Sequence, residues 1–144
     1  MIVECMDRRG GAAAILRAAF LACLVVTGAA HAGERACGSR VAVSTIAEMF
    51  DALFACWQAP AGSDGMEITL LFSLRRNGTL IGKPRATWSK LTGDEDTQRA
   101  FVASVLQALD RALPMPFTAS MGGAIAGRPL AIRFVVPGRN PRAL

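Results

Sequence analysis

Side chains able to do chemistry are scarce in this chain. Histidine occurs once, at His31, and tyrosine is absent. Beyond His31 there is no imidazole, which excludes Ser–His and Cys–His nucleophile pairs and histidine-based metal sites. Asp94-Glu95-Asp96 has the look of an acidic metal cluster. It stands at the start of an apolar helical run, however, where carboxylates complement the helix macrodipole, and it reads as capping. Asp64 and Glu67 are isolated and read as loop and surface. Asn77-Gly78-Thr79 matches a glycosylation sequon, but a hairpin turn accounts for the same residues. Gly122-Gly123 and Gly127 sit in a stretch read as a loop and are not followed by a helix, so no phosphate-cradling glycine pattern is present. The expectation is a chain with no catalytic residue, no metal, no cofactor and no small-molecule substrate: not an enzyme.

What remains is export chemistry and two cysteines. Arg8, Arg9 and Arg17 precede an apolar run over 18–30, and Ala30-His31-Ala32 follows as a small-x-small pattern. A positive region, a short apolar run and an A-x-A site are the layout of a secretory signal, cleaved between Ala32 and Gly33. The run is shorter than the roughly 20 residues that span a bilayer, so an uncleaved inner-membrane anchor is the lesser alternative. Translation starts at Met1 or Met6. The expected location is the periplasm. Over 33–144, thirteen basic residues against nine acidic ones leave a net charge of +4, nearly all of the excess being arginine. In an exported protein that balance points to acidic partners or an anionic envelope surface rather than nucleic acid. Cys37 and Cys56 are the two cysteines in this segment, and an even count in an exported chain reads as a disulfide, the alternative being two reduced buried thiols.

The elements that carry these residues follow from periodicity. Over 33–43 the chain is an irregular lead-in. Thr45 with Glu48 forms a capping box, and Ile46, Met49, Phe50, Leu53, Phe54 and Trp57 fall on one helical face. Pro60 and a Gly-rich stretch end that helix. Met66, Ile68, Leu70, Phe72 and Leu74 then alternate as a half-buried strand, with Leu71 the exception. Asn77-Gly78 supplies the two positive-φ positions of a tight hairpin. The second strand, 80–89, holds Gly82 and Pro84 and is therefore an edge or bulged. A second helix opens at Asp94 and buries Phe101, Val102, Val105, Leu106, Leu109 and Leu113, until Pro114-Met115-Pro116 stops it. A loop over 118–127 leads to the last strand, 129–136. The order α-β-β-α-β gives an α+β fold: a three-stranded antiparallel sheet ordered 2-1-3, two helices on one face. One domain is expected over 33–144, its core about 44–136, behind a signal at 1–32.

Cys56-Trp57-Gln58-Ala59-Pro60, the strand ending Arg76-Asn77-Gly78-Thr79-Leu80, Pro84, the helix 100–112 with Pro114 and Pro116, and Leu130-Ala131-Ile132-Arg133-Phe134 occur in an order that resembles the C-terminal domain of TolA and TonB proteins. The resemblance covers about 46–136 and is nearest to the TolA-like domains of alphaproteobacteria. It implies a binding module that recognises a periplasmic or outer-membrane protein by pairing backbone at an exposed sheet edge. The last strand would supply that edge, through Leu130, Ala131, Ile132, Arg133, Phe134 and Val135, with Arg128, Arg133 and Arg139 placed to meet an acidic segment. With only 33–43 where the family has a long linker, the expectation is a free-standing domain of that fold. An open edge can also pair with itself, giving a homodimer. The other function class is an envelope-surface protein that holds anionic lipid or polysaccharide through its arginines.

Overall fold

The computed structural model describes residues 35–139. The signal residues Ala32 and Gly33 lie outside the described residues, as do the two possible starts. Six elements follow in order: α1 (Ile46–Ala55), β1 (Glu67–Leu74), β2 (Leu80–Lys90), α2 (Glu95–Ala112), α3 (Ala119–Ile125) and β3 (Pro129–Val135). The strands form one antiparallel sheet ordered β2-β1-β3, as the sequence pattern predicts.

β1 is central, paired with β2 on one side and β3 on the other, and it alternates along its whole length. Ile68, Leu70, Phe72 and Leu74 are buried beneath the helices, while Glu67, Thr69, Leu71 and Ser73 lie on the open face. Leu71 thus belongs to the uncovered side of the sheet. The helix side meets Met49 and Leu53 of α1 and Phe101, Val105 and Leu109 of α2 in one continuous core. Both long helices are capped as their sequences demand. Thr45 Oγ1 accepts from the Glu48 N–H at 3.2 Å, and Asp94 Oδ1 accepts from the Thr97 N–H at 2.8 Å. The Glu48 carboxylate returns to the N–H of Ser44 at 2.7 Å and to its hydroxyl, one residue outside the usual capping box.

Three expectations are corrected. First, the stretch 118–127 contains α3, capped by Thr118, and Gly122 and Gly123 lie inside that helix. They are small because the helix rides on the hairpin: a Cβ on Gly122 would stand 2.5 Å from the Arg76 carbonyl oxygen. Second, only Gly78 of the hairpin has positive φ, at 80°. Arg75 C=O accepts from Gly78 N–H at 2.9 Å, Arg75 N–H donates to Thr79 C=O at 2.7 Å, and Asn77 Oδ1 accepts from the Thr79 N–H at 3.2 Å. That is a three-residue loop with glycine at its left-handed position, and Asn77 acts through its side chain. Third, the apolar stripes are wider than the core. Ile46 and Phe54 on α1 and Leu106 on α2 remain exposed.

Candidate functional edge

The candidate site is the outer edge of β3. This strand pairs with β1 over seven residues without a register shift, from Glu67 opposite Val135 to Ser73 opposite Pro129. Among the described residues its other side has no strand. Backbone phase tells which residues offer their groups there. Met66 and Leu74, four steps of two apart, both turn their C=O toward β3, accepting from Val136 N–H and from Gly127 N–H ahead of the strand, each at 2.9 Å. The residues between them in the same phase, Ile68, Leu70 and Phe72, stand opposite Phe134, Ile132 and Leu130. Alternate residues of an antiparallel strand bond to the same neighbour. Leu130, Ile132 and Phe134 therefore direct their N–H and C=O groups inward to β1. Ala131, Arg133 and Val135 direct theirs outward. Pro129 falls in the outward phase, where its missing N–H costs the ladder nothing.

The two edges of the sheet differ. β2 spends eleven residues against the eight of β1, with shifts between Thr69 and Leu70 and between Leu71 and Ser73. It also carries Pro84, Lys83, Lys90 and Gly82 with φ 67°. Bulges, proline and lysine are the devices that blunt an edge against pairing. β3 has one proline, at its start, and no bulge. Of the two, β3 is the less guarded edge.

Side chains fix this edge rather than hang from it. The Arg133 guanidinium reaches across Thr69 to lie 4.8 Å from the Trp88 ring centroid, and it is bonded to the Glu67 carboxylate. A cation over an aromatic face adds attraction to the ion pair. All three strands are thereby tied across the open face. Arg139 is held by Asp64 at 3.1 Å. Arg133 and Arg139, expected to meet an acidic segment, each already pair with a carboxylate of this chain, so the expectation that Glu67 and Asp64 are isolated is corrected. Of the three arginines, Arg128 has no carboxylate in reach among the described residues.

The far end of α1 is fixed to the lead-in. Cys37 and Cys56 are joined by a disulfide, Cα to Cα 4.6 Å. Val43 then bridges to Phe117, its N–H donating to Pro116 C=O at 2.7 Å. Trp57 follows at once, its indole N–H donating to Ser104 Oγ at 3.1 Å while its ring meets Phe101 and Phe134 edge-on. The Cys56-Trp57 pair thus sets α1 over β3. Near the lead-in, a groove of about 670 Å³ is lined by Arg40, Asn77, Arg111 and the turn Leu113-Pro114-Met115-Pro116.

Two acids carry perturbed protons, both lowered. Hydrogen bonds from the Ser44 N–H and hydroxyl, helped by Arg35, hold Glu48 below its ordinary value. The Thr97 N–H and hydroxyl do the same for Asp94. Both carboxylates cap helix starts. Among the described residues no group of three His, Cys, Asp or Glu side chains is placed to hold a metal ion. Among the same residues no helix is long and apolar enough to cross a membrane.

A family model described as uncharacterised conserved protein UCP034077 matches residues 39–138. The chain belongs to that family. The matched span takes in all six elements, including the whole of β3, and Cys56 but not Cys37. No curated protein and no solved structure gives a significant match.

Proposed function

We propose that this protein is a non-enzymatic binding module that recognises a periplasmic or outer-membrane protein by adding one of that partner's strands to β3. The observation that carries this is the contrast of edges: β3 regular and open, β2 bulged and guarded by lysine and proline. The resemblance to TolA and TonB C-terminal domains supports the same use of the last strand. The disulfide supports an oxidising compartment, because such bonds persist in exported proteins and are rare in the cytosol.

The test uses the outward phase of Ala131. Proline there removes one outward N–H and leaves the ladder to β1 intact, so Ala131→Pro keeps the fold and blocks the edge. Affinity capture from periplasmic and outer-membrane extract is expected to recover a partner that the variant loses. A partner held equally by a folded Ala131→Pro variant would sink strand addition. A homodimer through the same edge would appear in sedimentation of the unmutated protein and vanish in the variant.

A second reading is favoured by one feature. Arg40 and Arg111 line the same groove, with no carboxylate in salt-bridge reach among the described residues. An envelope-surface role, binding anionic lipid or polysaccharide, would use that face. Binding of that kind fades as salt rises, whereas strand addition persists.

A further inference from the structure

Ile46 and Phe54 are 43% and 40% exposed, although each belongs to the apolar pattern of α1. With half-buried Phe50 they form a line at four-residue spacing along one side of the helix. The Phe54 end of this line reaches β3. The Phe54 ring packs 5.3 Å from that of Phe134 on β3. Toward the interior, the Phe134 ring is instead met by Trp57, which also touches Phe101 of α2. Phe54 touches β3 and yet stays in solvent, away from Trp57 and α2, which points it to the side of β3 where no strand lies among the described residues. On the opposite face of the same edge, Val135 is 41% exposed. The charge at the middle of the strand is already answered, since Arg133 is turned inward to Glu67 and Trp88. Apart from Arg128 just ahead of the strand, apolar carbon and one paired charge line this edge.

We infer that the occupant of the edge is an extended protein segment with apolar side chains at alternate positions, seated on Phe54, Phe50 and Ile46. This rests on the strand-addition reading and adds the partner's chemistry to it. A strand laid along β3 points every second side chain to the helix face of the sheet, where the α1 line waits. Valine, isoleucine or an aromatic residue there covers Phe54 and removes both from water. The intervening side chains lie on the open face near Val135 and the Arg133 stem. Arg133 is engaged, so their charge is not selected. Recognition is therefore apolar and insensitive to salt.

The test compares three blocked peptides of about eight residues, a common strand length. One alternates valine with glutamate, one valine with lysine, and one threonine with serine; each is titrated into the protein by fluorescence anisotropy. The two valine peptides are expected to bind within about three-fold of each other, and the threonine–serine peptide about ten-fold more weakly. Phe54→Ser is expected to weaken both valine peptides about ten-fold, as is Ile46→Ser to a smaller degree. Raising salt from about 0.05 to 0.5 M is expected to leave their affinity within about two-fold. Equal binding of all three peptides, no binding of any, a ten-fold preference for glutamate over lysine, or indifference to Phe54→Ser would each overturn the inference. Loss of the captured partner with Ala131→Pro alongside indifference to Phe54→Ser would leave the strand-edge reading standing and remove only this one.

Discussion

Gly122 and Gly123 are adjacent in α3 but meet different neighbours. A Cβ on Gly122 would stand 2.5 Å from a backbone oxygen, that of Arg76, which cannot move without moving the hairpin. A Cβ on Gly123 would meet the Arg76 guanidinium at 3.3 Å, the far end of a flexible side chain. Gly122→Ala is therefore expected to lower stability by roughly 1–3 kcal/mol, as overpacking does. Gly123→Ala is expected to be neutral or stabilising by up to about 1 kcal/mol, because alanine is the better helix former. Denaturant midpoints of the two variants check this; equal losses would contradict the close packing of α3 on the turn. The lowered carboxyls give a second outcome at this scale. Glu48 and Asp94 have native values below their unfolded ones. Their contribution is complete above the ordinary carboxylate range, about pH 4 to 5, and is lost as the pH falls through the lowered native values. Replacing both by the neutral amides should flatten the acid limb of a stability-against-pH curve and leave its neutral limb parallel to that of the native protein.

At the scale of elements, the strands were legible in the sequence because their signals are local. β1 alternates, and Pro84 with Gly82 marks β2 as irregular. The cysteine pair was legible from the even count of cysteines over 33–144. Where sequence failed, the cause was long-range. α3 is a run of small residues with no stripe of its own, and its helical state comes from packing on a turn more than forty residues away. The stripes of α1 and α2 overstate the core because periodicity shows a helical face without showing how much of it is covered. Candidate edge residues were found, but not their phase, which decides that Ala131, Arg133 and Val135 are the ones offering backbone groups. Nor did anything in the sequence set Glu67 beside Arg133. The disulfide belongs to this scale as well. It ties the lead-in to the end of α1 across a separation of 19 residues. Loop closure of that length is worth about 3 kcal/mol in the unfolded chain. Cys37→Ser with Cys56→Ser should lower the melting temperature by roughly ten degrees or more for a domain of this size. An unchanged melt would mean the bridge stabilises nothing.

The described residues form a two-layer domain in which helices cover one face of a small sheet, while on the uncovered face Arg133 ties Glu67 and Trp88 across all three strands. The two edges of the sheet are treated in opposite ways, β2 blunted by bulges, proline and lysine and β3, on the reading proposed above, kept open for a strand. Site-resolved amide hydrogen exchange of β3 tests this most directly, in the protein alone and with the partner or the valine peptides bound. In the free protein, Leu130, Ile132 and Phe134 should exchange slowly and Ala131, Arg133 and Val135 fast. On binding, those last three should become protected together. Fast exchange persisting at all three in the bound state would contradict the account, as would protection of all three in the free monomer.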